Sequence, residues 1–157
     1  MTASDFKHTM KALNDFGNFI ITTYKSQLEA EQMNNGELYR TISYSVSTGT
    51  GGWVISVSLA DYWKYVEYGR RPGKMPPVSA IEHWINVKQI IPHSMTLKSG
   101  KTVIPTIPQL SFLIARSIGQ RGIPPKPLFK KSFEAAKQQF MQVIKDAITQ
   151  DIKENLV

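Results

Sequence analysis

The change of period near residue 36 constrains this chain more than any other feature of its sequence. Before it, the apolar residues Phe6, Met10, Leu13, Ile20, Tyr24 and Leu28, with Gly17 among them, fall in steps of three and four, the spacing of one helix face. After it, Leu38, Ile42, Tyr44 and Val46 alternate with Tyr39, Thr41, Ser43 and Ser45. Trp53, Ile55, Val57 and Leu59 then alternate with Val54, Ser56 and Ser58. Period two belongs to strands with two unlike faces. The segment between the runs, Ser47-Thr48-Gly49-Thr50-Gly51-Gly52, is turn material, so residues 38–59 predict an antiparallel hairpin, apolar on one face and hydroxyl-rich on the other. Two strands alone are marginal in water, so the apolar face must lie on helices or on further strands.

The first helix is expected to fill residues 1–33, with Ser4 as N-cap and Asn34-Asn35-Gly36 as its stop. Residues 60–128 read as short helices and basic, proline-rich loops. Asp61 opens one or two helical turns that Gly69 ends, and Asp61 and Glu67 read as a cap and a loop salt-bridge partner. Ser79 to Glu82 has the form of a capping box before a short helix to about Lys88. Residues 90–105 suggest a second hairpin or an extended loop around Ser99-Gly100. Thr106 to Gln109 forms another capping box, with Pro108 in the first turn. The helix it opens is apolar at Ile107, Leu110, Leu113, Ile114 and Ile118, which predicts a central position, and Gly119 or Gly122 ends it. A basic linker, QRGIPPKPLF, leads to a last helix over residues 128–156, striped by Phe129, Phe133, Ala136, Phe140, Val143, Ile144, Ala147 and Ile152. The expected fold is α+β: long N- and C-terminal helices packed with shorter helices on a small antiparallel sheet, as a single domain over residues 1–157.

Composition narrows the function. The chain has no cysteine, which excludes disulfides, thiolate metal sites and thiol nucleophiles. No apolar run reaches the roughly 18 residues of a membrane span, and the opening MTASDFKHTMKAL lacks the order of a signal peptide, so no membrane partner is expected. The net charge is +7 but unevenly placed: from Gly69 to Lys131 seven lysines and four arginines face one acid, Glu82, so this stretch carries +10 and the rest −3. Such segregation implies a directed positive surface.

No motif here predicts chemistry. In GRRPGKM the glycines are one residue too close for a phosphate loop, and Met75 replaces the metal-binding hydroxyl; in MTLKSGKT, Met95 occupies the place of the first glycine. His8, His83 and His93 have no partner four residues on and no acidic cluster nearby in sequence, and there is no G-x-S-x-G elbow. No catalytic, cofactor-binding or metal-ligating residue and no cofactor is therefore expected, and His8, His83 and His93 read as surface or rim residues. Nucleic acid is the alternative partner. Arg70, Arg71, Lys74, Lys98, Lys101, Arg121, Lys126, Lys130 and Lys131 could neutralise phosphates, with Tyr62, Trp63, Tyr65 and Tyr68 to stack on bases. The plainer reading is a solvated cationic face beside core or interface aromatics.

The order of motifs carries a resemblance. An aromatic run ends in Val66-Glu67-Tyr68-Gly69, followed by the basic, proline-rich loop and a helix holding Trp84. QLSFLIARSIGQRGIPPKPLFKKSFEAA then supplies a helix end of the form I-A-R-x-I-x-x-x-G, a proline-basic linker and a helix rich in phenylalanine and alanine. Over roughly residues 60–136 this resembles the tail-completion or head–tail joining (neck) proteins of long-tailed DNA bacteriophages and prophages. The resemblance implies a non-enzymatic α+β virion protein. It would form a homo-oligomeric ring, six-fold or twelve-fold, between the connector or adaptor of the head and the tail tube, with double-stranded DNA passing through. It marks the Tyr68-Gly69-Arg70-Arg71 turn and the Lys126-Pro127-Leu128-Phe129 entry to the last helix. The chain has Lys126-Pro127-Leu128 where arginine-proline-phenylalanine is frequent, and Arg70 where a small residue is common. Expected assembly contacts are Tyr65, Glu67, Tyr68, Gly69, Arg70, Arg71, Lys74, Trp84, Arg121, Lys126, Pro127 and Phe129, because tyrosine, tryptophan and arginine dominate interface energetics and prolines pre-order the loops.

Overall fold

The first helical stripe folds as its spacing dictates. In a computed structural model describing residues 6–156, α1 (Lys7–Ala30) buries Ala12, Leu13, Phe16, Gly17, Ile20, Tyr24 and Leu28. Each large apolar side chain among them contributes about 1.5–3 kcal/mol by leaving water. Ser4, expected as the N-cap, lies outside the described residues. The helix also stops earlier than Asn34-Asn35-Gly36. Gln32 turns left-handed (φ 57°), its N–H bonds the Glu29 carbonyl, and the Met33 N–H bonds the Leu28 carbonyl at 2.7 Å. That pair of bonds is a Schellman end made with glutamine instead of glycine, and Met33 packs back onto the core beside Leu28.

Residues 38–41, expected to begin the first strand, instead belong to a one-turn helix, α2 (Glu37–Thr41). Leu38 and Ile42, both buried, stand four apart, a spacing that fits a helical turn as well as it fits alternation. The Tyr62 hydroxyl accepts the Leu38 N–H at 2.7 Å and supports the turn. The hairpin follows as β1 (Ser43–Gly49) and β2 (Gly52–Ser58), antiparallel. Tyr44 pairs Val57 and Val46 pairs Ile55 on the half-buried face; Ser43 pairs Ser58 and Ser45 pairs Ser56 on the exposed face. After β2 come α3 (Trp63–Tyr68), α4 (Val78–Val87), β3 (Met95–Thr96), β4 (Thr102–Val103), α5 (Ile107–Arg121) and α6 (Leu128–Asn155). The fold is α+β, with long first and last helices and small antiparallel sheets. No helix is long and apolar enough to cross a membrane among the described residues.

The chain forms two compact units where the sequence suggested one domain: unit 1 is residues 1–68 with 126–157, and unit 2 is residues 69–125. Unit 1 holds the apolar clusters. Tyr24, Leu28, Leu38, Ile42 and Leu128 make one, with Phe129 and Trp63 packed on it; Phe16, Ile20 and Ala136 make the other, with Ile55 and Phe140. α1 lies along α6, whose buried line is Leu128, Ser132, Ala136 and Asp151; Phe133, Val143 and Ile152, expected in its stripe, are exposed. Burial, then the nearby Glu67 carboxylate, pushes ionisation of the Tyr24 hydroxyl far above its ordinary range.

Gly17 sets how closely the hairpin approaches α1. A Cβ there would stand 2.4–2.9 Å from the Tyr44 ring. Gly17→Ala would ordinarily gain helix stability, about 1 kcal/mol. Here the clash dominates, and a net loss of about 1–2 kcal/mol is expected in urea unfolding. Restoration by Gly17→Ala with Tyr44→Val checks the cause; a more stable single variant would show that the ring moves freely aside.

Candidate functional site

Unit 2 is held shut at its base by paired backbone. Arg70 and Ile123 form an antiparallel bridge, each N–H bonding the other's carbonyl at 2.8 Å, and the Gly73 N–H bonds the Gly119 carbonyl at 2.8 Å. The approach leaves no room for side chains at two places. A Cβ on Gly69 (φ 69°) would lie 2.3 Å from the Ile123 oxygen, and one on Gly122 (φ 76°) would lie 2.1 Å from the Arg70 oxygen. Both positions also need the left-handed backbone that glycine adopts at least cost. Arg70 further donates from its guanidinium to the Lys74 carbonyl at 2.7 Å, closing the cationic turn on itself.

The two helices of unit 2 pack on each other, and the buried residues of α5 are small. α5 opens with the expected capping box: Gln109 N–H bonds Thr106 Oγ1, and Gln109 Oε1 accepts the Thr106 N–H. α5 is not the central helix its sequence suggested. Ser111 and Ala115 are its buried residues, one turn apart, and Gly119 continues the line against Met75. Ile85 of α4 is fully buried, while Phe112 and Leu113 are exposed. α4 also departs from expectation at its start, since Pro77 is its N-cap, with no side-chain cap bond from the Ser79–Glu82 pair. Its end repeats the motif of α1: Gln89 is left-handed (φ 51°) and the Ile90 N–H bonds the Ile85 carbonyl.

With so few side chains buried, unit 2 leaves much apolar surface outside: Ile91, Ile104, Val87, Phe112, Trp84 and Leu97 are all exposed. It also carries the whole net charge. Residues 69–125 have four lysines and four arginines against Glu82, a balance of +7, while unit 1 is neutral, with eleven cations and eleven acids. Unit 1 pairs several of its charges, at Lys7–Glu154 (3.0 Å), Lys11–Asp15 (2.6 Å) and Lys126–Glu31. Among the described residues, Arg71, Lys98, Lys101, Arg116 and Arg121 of unit 2 are exposed and form no ion pair.

The expected contact residues separate into two groups. Arg71, Lys74, Arg121, Tyr65, Tyr68 and Trp84 are exposed, and Arg70, Gly69, Pro127 and Lys126 are half-buried. Glu67 and Phe129 are occupied within unit 1. Glu67, read from sequence as a loop salt-bridge partner, is 4 % exposed and accepts the N–H groups of Phe129 and Lys130, both at 2.9 Å. These are orphan donors of α6, whose N-cap, Pro127, cannot bond them. Phe129 packs edge-on to Tyr24 (5.7 Å) in the core. The Lys126 N–H bonds the Val66 carbonyl at 2.8 Å, so α3 and the entry to α6 are tied by backbone as well.

A second carboxylate repeats the device. Asp151 of α6 is fully buried and accepts the His8 N–H (3.1 Å) and the Thr9 N–H (2.7 Å) at the start of α1, where Phe6 offers no cap. Burial pushes its carboxyl up, but the bonds from Thr9 and from the His8 N–H, with the nearby His8 ring, outweigh it, and the pKa falls below the ordinary aspartate value. His8 Nε2 also lies 3.1 Å from Glu154, so His8, with no acidic cluster near it in sequence, has two acids beside it in space. The trio His8, Asp151 and Glu154 has the donor types of a metal site. Both Asp151 oxygens are already taken by helix N–H groups, however, and the positive end of α1 opposes a cation, so the arrangement is a cap with an ion pair. Neither carboxylate was legible, because each lies over 60 residues from what it binds. A lone acid placed on an otherwise apolar helix line, as Asp151 is, was the available signal.

Comparison with family models, with curated proteins and with solved structures finds no match.

Proposed function

We propose that this chain is a non-enzymatic structural subunit of a long-tailed bacteriophage neck, a ring-forming adaptor that completes the tail and joins it to the head connector. The observation that carries the proposal is the bonding that fixes residues at or beside each of the two segments the family resemblance marks, each within its own unit. The Tyr68–Arg71 turn and the Lys126–Phe129 entry stand far apart in sequence. Arg70 is bridged to Ile123 in unit 2, and Val66 and Glu67 bind Lys126, Phe129 and Lys130 in unit 1. Stiff contact segments of this kind suit assembly, because little ordering entropy is lost on docking. The exposed apolar and cationic surface of unit 2 supplies the material of an interface.

Sedimentation velocity at rising concentration, alone and with tails lacking the protein, tests the reading; discrete closed oligomers are expected. Arg71→Glu with Arg121→Glu alters two exposed, unpaired cations, so it is expected to abolish head–tail joining at an unchanged circular dichroism spectrum. Full joining by that variant would remove these residues from the contact. The concentration of +7 in unit 2 favours a second reading, a non-specific nucleic-acid-binding module. A lasting monomer whose duplex affinity falls steeply with salt would replace the first reading by the second.

A further inference from the structure

Unit 2 contains a groove of about 690 Å³ between the β3–β4 hairpin and the first turns of α5. Its lining includes Leu97, Ile104, Phe112 and Leu113, all exposed, with Ile104 at 69 %. The volume falls within the range of pockets that enclose most of a small ligand's surface. The hairpin turn that forms one wall is ordered by bonds from the Leu97 N–H to the Lys101 carbonyl and from the Gly100 N–H to the Leu97 carbonyl, both 2.8 Å. That turn carries Lys98 and Lys101. On α5, Arg116 follows Phe112 by four residues and Leu113 by three, which places it on their side of the helix. The elements that form the groove thus carry an apolar lining and three cations without ion pairs.

We propose that this groove is a docking site for an acidic peptide segment of a partner protein, anchored by apolar side chains and flanked by carboxylates. Charge decides among the possible occupants. A second copy presenting the same unit would set +7 against +7, which opposes like-to-like pairing through this face. A nucleic-acid strand would use the cations and could stack one base on Phe112, but would gain nothing from Leu97, Ile104 and Leu113, which offer no flat ring. An amphipathic acidic segment uses both: apolar anchors occupy the groove and carboxylates meet Lys98, Lys101 and Arg116. The inference rests on the groove and its charges and goes beyond the neck assignment, since it holds for any assembly in which the chain works.

Fluorescence anisotropy with the full chain tests it. The probe is a fluorescein-labelled peptide of about twelve residues with leucine and phenylalanine at helical spacing and aspartate or glutamate between them. Binding is expected, at least about ten-fold tighter than for the same peptide with serine at the apolar positions or lysine at the acidic ones. Ile104→Ser with Phe112→Ser, at exposed positions, should weaken binding about ten-fold with an unchanged melting temperature. Lys98→Glu with Lys101→Glu and Arg116→Glu should weaken it further and flatten its salt dependence. If the apolar double variant melts early, amide shifts of the wild-type chain with the peptide decide. Shifts at Leu97, Ile104 and Phe112 support the site; shifts elsewhere overturn it. No binding, equal binding of the serine peptide, or mixed-sequence duplex DNA displacing the peptide from a surface indifferent to Ile104 and Phe112 would each overturn it as well.

Discussion

Glu67→Ala is expected to destabilise unit 1 by about 3 kcal/mol, the largest single-residue effect predicted for this chain. Two contributions combine. A typical N-cap removal costs about 1 kcal/mol, and here one carboxylate serves two donors at once. Charge-assisted bonds are stronger than neutral ones, and the Phe129 and Lys130 N–H groups, both 2.9 Å from Glu67, would be left unbonded behind a 4 % exposed side chain. Pro127 cannot substitute, having no acceptor side chain. Glu67→Gln keeps one acceptor oxygen and is expected to lose roughly half as much. Urea unfolding followed at 222 nm measures both. A loss below about 1 kcal/mol for the alanine variant would mean that water reaches the end of α6 and replaces the carboxylate.

Asp151→Asn is the second. The amide retains one oxygen for Thr9 or His8 and loses the negative charge facing the start of α1, so a loss of about 2 kcal/mol is expected at neutral pH. The sign of the pH dependence follows from the lowered pKa. In the unfolded chain the carboxyl takes up its proton at the ordinary aspartate value; in the folded chain it does so only at lower pH. Its stabilisation is therefore complete above about pH 4 and declines as the pH falls from there through the folded value. Wild type and Asp151→Asn should thus differ most near neutrality and converge in acid. A gap that stays constant down to pH 2 would show that the carboxylate charge contributes nothing to holding α1.

Local order was the legible part of this chain. The stripe of α1, the hairpin register and the Thr106 capping box each depend on residues within a few positions of one another, and each formed. The errors share a cause in distance. Leu38 and Ile42 satisfy two periods at once, and the tertiary bond from Leu38 to Tyr62 favours the helical turn. The large apolar residues of α5 suggested a central helix, but its buried line is Ser111 and Ala115, small residues that a reading by large side chains passes over. The stop of α1, expected at Asn34-Asn35-Gly36, falls earlier, at left-handed Gln32, marked by apolar residues five apart, Leu28 with Met33; α4 ends at about Lys88 as expected, and Ile85 with Ile90 carries the same mark. For the candidate contacts, charge and proline content located the exposed cations of unit 2. They could not distinguish Glu67, a remote cap, from an interface residue.

The bond from Thr9 to Asp151 spans 142 residues, so during synthesis the open end of α1 waits for α6 before it is closed. At common elongation speeds the delay is on the order of ten seconds. Through that interval α1 shows its apolar face with no α6 to cover it, a state open to chaperones and to other nascent chains. Stability of α1 thus arrives only with the synthesis of α6.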